Sequence, residues 1–330
     1  VSSAVLATRE TSAAPRSGLR PRGVTWLTWR QTRAALLVVT LGYAAALAYL
    51  LYQHHQFDVT TVRLRGLHCS TDTRDPVSVI TANCNLAALA VMQAASGVHR
   101  LATVALAAPG LLGAVLAAQP LAVDLERGRH RLLWSQSVSP RRWFTQRMLL
   151  PAAILLVLSA VLSVALRWAV LWTHPALPIE DWSFDNASDA LAPVYPLLTL
   201  AAFALGAVVG LLLHRVIAAL GITLALYGVL LYGMAQVRPY LVPLHRKVVG
   251  PGDPWPSGDW VYDSGPVVHG KDFSYSACPV ATGCDKEPSW ILYHPLSQFG
   301  PMLWVETGML AALTAGLVAL AYRRLLALTR

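Results

Sequence analysis

Few side chains in this sequence could do chemistry, and their positions limit what that chemistry is. Four cysteines fall as two close pairs, Cys69 with Cys84 and Cys278 with Cys284. Neither spacing is that of a zinc site and no histidine pattern completes one, so these residues suit disulfides, with unpaired loop thiols as the alternative. Arg167 and Glu306 stand inside otherwise apolar runs, at similar depth. Ionisable residues so placed are functional candidates and the two could pair; the plainer reading has each reaching to the nearest polar surface. The densest polar stretch is DLERGRHRLLWSQSVSPRRWFTQR, Asp124 to Arg147, with six arginines between two long apolar runs. No G-x-x-x-x-G-K-[ST] occurs, because the only glycine directly before a lysine is Gly270 and Asp272 follows Lys271. H-E-x-x-H and G-x-S-x-G are missing too. The sequence therefore offers no catalytic residues, no metal site and no phosphate cradle of its own.

The elements that position these residues follow from hydropathy. Hydrophobic residues make up 55% of the 330, charged residues only 13%, and the mean hydropathy is +0.49. That is too apolar for a soluble domain of this length and marks a multi-pass integral membrane protein. The net charge of +9 comes mostly from arginines at the edges of apolar runs. Such placement orients a membrane protein by the positive-inside rule and points to no nucleic-acid partner.

Residues 1–23, rich in Ser, Ala, Arg and Pro, are expected to be a disordered tail ahead of a single membrane domain over 24–330. A first residue Val1 suggests a GTG start codon, with Val24 a second candidate start; peptides from residues 5–20 in native material would exclude the second. Trp26 and Trp29 beside Arg30 and Arg33 suit the headgroup region before a first span. Runs of about 20 apolar residues cross the hydrocarbon core. They place spans at about 34–53, 101–123, 149–172, 192–213, 216–237 and 302–322. Pro109, Gly110, Gly113 and Pro120 should bend the second. Ser139-Pro140 is a helix-start signal, so the third helix should begin before its span. The fourth and fifth spans, separated only by His214 and Arg215, form a tight hairpin, and Gly206 and Gly210 give the fourth a small-xxx-small face for close helix packing. The charge rule puts both termini and 124–147 in the cytoplasm. It leaves two large extracytoplasmic loops, 54–100, with a short helix over 86–96, and 238–301. Asn186-Ala-Ser188 matches an N-glycosylation acceptor, a triplet short enough to arise by chance.

TWLTWRQTR before the first span, AAQPLAVDLERGRHRLLWSQSVSPRRW after the second, FALGAVVGLLLHR before the fifth and YHPLSQFGPMLWVE opening the sixth carry a family likeness. Across about Thr25 to Arg324 the chain resembles the actinobacterial ABC-2 type transporter permeases, the membrane subunits of ABC exporters. The resemblance implies an all-α, six-helix permease of the type V exporter-like kind in the plasma (cytoplasmic) membrane. It would work as a homodimer or paired permease, with ATP and Mg bound by a separate ABC ATPase subunit and no cofactor bound by this chain. Carried over residue by residue, the ATPase-coupling positions are Glu126, Gly128, Trp134, Gln136 and Ser137, with Arg141, Arg142 and Trp143 opening the next helix. Arg129 stands where the family often has Thr, and Gln298-Phe299-Gly300 where it often has Arg-Phe-Trp.

The expected function is export, driven by that ATPase, of a hydrophobic or amphipathic cargo, since no charged pathway lies at midplane depth. Against it stand a carrier, immunity or sensor protein without an ATPase, and a binding or scaffolding protein built on its outer loops.

Overall fold

The structure, a computed structural model, describes residues 24–66, 82–128, 139–173, 188–251, 253, 259–268, 270–274 and 287–328. The expected tail, Cys69, Cys278, Cys284, Trp134, Gln136 and Ser137 lie outside the described residues. Among the described residues six helical runs are long and apolar enough to cross a membrane.

Helix α1 spans Val24–Gly66 and is much longer than the first expected span. His54 to Arg65 is polar but contains neither Gly nor Pro, so nothing in the backbone stops the helix before Gly66. Helix α2, Ala82–Ala105, packs along it, burying Phe57 against Val91, Ala94 and Ala95. The first large loop is thus mostly a helical pair, and the short helix expected over 86–96 is part of α2.

The second span then breaks into α3, Ala107–Gly113, a π-helical turn, Ala114–Ala118, and α4, Gln119–Glu126. Proline explains the first break: Pro109 has no N–H for the Ala105 carbonyl. Two tyrosines satisfy the opened backbone. The Tyr195 hydroxyl donates to the Ala105 carbonyl at 2.9 Å, and that of Tyr227 to the Leu106 carbonyl at 2.7 Å. Tyr195→Phe should therefore cost about 1–3 kcal/mol by leaving the buried Ala105 carbonyl, which Pro109 cannot serve, unpaired. Thermal unfolding in detergent checks this, and an unchanged midpoint would remove the hydrogen bond from the account.

Helix α5 runs Pro140–Thr173, α6 Val194–Leu213, α7 Val216–Val237 and α8 Phe299–Ala327. Ser139 caps α5, its Oγ accepting the Arg142 amide at 3.4 Å, as the Ser-Pro signal implied. Helix α6 is the centre of the bundle: 72% of its most apolar stretch is buried, against 17–33% for the first, third, fifth and sixth spans. It touches α3, α4, α5, α7 and α8. Glycine makes that centrality possible. A Cβ at Gly206 would strike the Gly113 carbonyl, and one at Gly210 would sit 2.7 Å from the Ala118 carbonyl, so α6 lies directly on the broken second span.

The all-α expectation fails in the second large loop, where four short strands form one antiparallel sheet. They are β1, His245–Val249, β2, Trp260–Val268, β3, Lys271–Asp272, and β4, Ser289–His294, in the order β1-β4-β2-β3. Val, Ile, Tyr and Trp dominate β2 and β4, residue types that favour a pleated half-buried surface. The pairing is non-local, with His245 opposite Tyr293, so helix-period reasoning could not find it.

Candidate functional site

Two polar centres sit at opposite ends of the bundle. At one end, α4 runs out, α5 begins, and the α6–α7 turn lies beside them. Asp124 and Arg147 form a buried ion pair there, Arg147 Nη2 lying 3.1 Å from Asp124 Oδ2, which ties the end of α4 to the first turns of α5. Glu126, one turn-edge further on, is exposed, and its Oε2 accepts the Val216 amide at 3.2 Å. That amide is one of the unpaired N–H groups that open α7, so the carboxylate also meets the positive end of the helix dipole. Gly128 takes a left-handed φ of 64° just past α4. The Arg127 amide donates to the Val123 carbonyl and that of Gly128 to the Leu125 carbonyl, so the glycine ends the helix without a Cβ clash.

Arg141 and Arg142 are exposed at the start of α5. Trp143, expected beside them on a docking face, instead points inward and is only 1% exposed. Helical rotation is the reason: consecutive residues point about 100° apart. Two arginines at the rim thus place the third residue of the row in the core, with Phe144 and Met148.

At the other end lies a cluster that the sequence reading did not assemble. Arg238, just after α7, donates from Nε to Glu306 Oε1 of α8 at 2.5 Å, and from Nη2 to Asp189 Oδ1 in the turn before α6. All three are at most 2% exposed. Burial pushes the Asp189 carboxyl up to about 7; Arg238 pulls it back down, and Glu306 adds to the rise.

Arg167 and Glu306 do not pair with each other. Arg167 Nη1 donates to the Ala192 carbonyl at 2.7 Å, and its guanidinium lies 5.8 Å from the Phe299 ring. Glu306 is seven residues beyond Phe299 in α8, which at 1.5 Å per residue puts it about 10 Å deeper than the level Arg167 reaches. Arg238 could have been suspected as an arginine at the end of a span where the charge rule expects few.

The sheet is bolted on next to this cluster. His294 of β4 is fully buried, its Nε2 3.1 Å from the Pro239 carbonyl and its Nδ1 2.8 Å from Gln298 Oε1. The Gln298 amide nitrogen in turn donates to the Pro243 carbonyl. Cys84, in the first turn of α2, is disulfide-bonded; the Cys69–Cys84 and Cys278–Cys284 pairings involve residues outside the described ones and stay proposals.

Six membrane-length helices among the described residues, with a basic end wired into several of them, are the architecture of a polytopic membrane protein. The chain belongs to the ABC-2 membrane transporter related family, whose model matches residues 26–238. No curated protein and no solved structure matches it. The matched segment contains Asp189 and Arg238 and stops short of the sheet and Glu306.

Proposed function

We propose that this chain is the permease subunit of an ABC-2 type exporter, coupling ATP hydrolysis by a separate ATPase to export of a hydrophobic or amphipathic cargo. The observation that carries the reading is the wiring around 124–147. Exposed Arg141, Arg142 and Glu126 are available to a partner, while Asp124–Arg147 and Glu126–Val216 pass any displacement directly to α4, α5 and α7. A push on this end would move three helices together. ATP does work on them to the extent that the ATPase pair binds it more tightly in one arrangement than in the other.

In this reading the arginine-rich end faces the cytoplasm, the sheet lies outside, and ATP and Mg stay on the partner. Pairing of two permease copies, with a path between them, completes the exporter. An apolar groove of about 240 Å³ between α5, α6 and α8, lined by Phe144, Met148, Leu200, Phe203, Val318 and Tyr322, suits an apolar cargo better than a charged one.

Replacing Arg141 and Arg142 together by Ala, and separately Trp134 by Ala, tests the docking. Each should weaken co-purification of the ATPase by about tenfold or more and lower permease-stimulated hydrolysis. Unchanged association and rate in both variants would favour the carrier or sensor reading instead.

A further inference from the structure

We propose that the Asp189–Arg238–Glu306 cluster is a proton-binding site, which takes one proton from the adjoining aqueous phase onto its two carboxylates and gives it back as the pH rises. Two carboxylates share one guanidinium, and all three groups are buried. Fully ionised, the cluster carries one surplus negative charge in a medium where an unneutralised ion costs several kcal/mol.

The polar groups described on the neighbouring elements bond elsewhere. Arg167 of α5 is held by the Ala192 carbonyl and the Phe299 ring. His294 of the sheet contacts Pro239 and Gln298. On α7, the Tyr227 hydroxyl faces Leu106, and on α8 the Thr307 hydroxyl donates to its own helix at Leu303. None of these bonds either carboxylate.

Two oxygens point to what is missing. Glu306 Oε2 and Ser188 Oγ are inaccessible and have no hydrogen-bond partner among the described residues, on side chains 0% and 1% exposed. Two unpartnered oxygens fall far short of the six to eight that a hard cation such as calcium takes. A proton needs only one. It converts a carboxylate into a neutral acid with an O–H to donate, leaving one carboxylate for one guanidinium. The upward displacement of Asp189 to about 7 agrees with this.

The sign of the effect follows. A carboxyl raised from 3.8 to about 7 binds its proton in the folded bundle where the unfolded chain has released it. This end of the bundle is therefore stabilised in full below the ordinary carboxylate value. That stabilisation declines as pH rises to about 7, by up to tenfold in the folding equilibrium per pH unit for one proton, and is gone above it.

The test uses the full chain in lipid nanodiscs. Infrared difference spectra on acidification through neutrality should show a protonated-carboxyl C=O band, and Asp189→Asn and Glu306→Gln should each abolish it, because either substitution removes the surplus charge. A band absent from the wild type, persisting in either variant, or suppressed by sodium chloride at constant ionic strength would overturn the assignment; suppression would hand the site to a metal cation. If the variants do not fold, the pH slope of wild-type unfolding decides alone. A decline of about one proton's worth between 3.8 and about 7 is expected, and a flat profile overturns the site. Neither readout involves an ATPase, so the result is independent of the exporter reading.

Discussion

Arg238→Met should be the most damaging single substitution in this protein, lowering stability by about 3–5 kcal/mol above neutral pH. The loss comes from what is left behind. Asp189 and Glu306 would remain buried with no counter-charge, and their burial rules out compensation by water. Denaturant or thermal unfolding in detergent, followed by tryptophan fluorescence, measures it. The decisive control is the triple variant Arg238→Met, Asp189→Asn and Glu306→Gln, which removes all three charges. It should recover most of the loss, since replacing a whole buried ionic cluster is often neutral while removing one partner is not. A single variant as stable as the wild type, or a triple variant no better than the single, would mean that the cluster does not hold the ends of α6, α7 and α8 together.

The second large effect is expected at the centre of the bundle. Gly206→Ala adds one methyl group where the Gly113 carbonyl already is, and neither partner can rotate away because both are backbone. Helices α3 and α6 must separate, which costs about 1–3 kcal/mol as overpacking and spreads to every helix resting on α6. Gly228→Ala, on α7, is the matched control: a Cβ there meets nothing within 4 Å, and alanine favours the helix. The prediction is a fall in thermal midpoint for the first and none for the second. Equal behaviour would show that the Gly206 contact is not close-packed in the membrane.

These two sites differ in how far they were legible beforehand. Gly206 and Gly210 are four apart in an apolar run, a local pattern whose meaning does not depend on the rest of the chain. Their partners, Gly113 and the Ala118 carbonyl, were legible only as the bend expected from Pro109, Gly110, Gly113 and Pro120. Of the charged cluster only Glu306 was legible, as an ionisable residue inside an apolar run. Asp189 fell between the third and fourth spans, and Arg238 was the first residue of the second large loop. Glu306 and Arg167 stand at similar depth along the sequence, which left a pair between them open. The contacts that matter join residues 49 and 68 positions apart, and a seven-residue difference along α8 separated the expected partners.

The coupling end shows the same division. Ser139-Pro140 started a helix, and Gly128 ended one, because capping and left-handed backbone are properties of a few consecutive residues. Trp143 was placed at the coupling surface by the resemblance; which way it faces is set by the rotation of α5 against the bundle. Glu126 was expected to serve a partner, and it also holds the first amide of α7, a bond across 90 residues.

What the sequence alone determined, then, was everything that depends on local hydropathy and local backbone chemistry: six spans, their approximate limits, the basic end, the tight turn at His214-Arg215 and the small-residue face of α6. The tertiary structure decided which helix lies at the centre, which carboxylates Arg238 serves, and that the second large loop is a sheet. The physical reason is range. Burial of an apolar run and the capping of a helix end are decided within a few residues, whereas ion pairing and strand pairing depend on the depth and rotation of segments that the chain connects only at a distance.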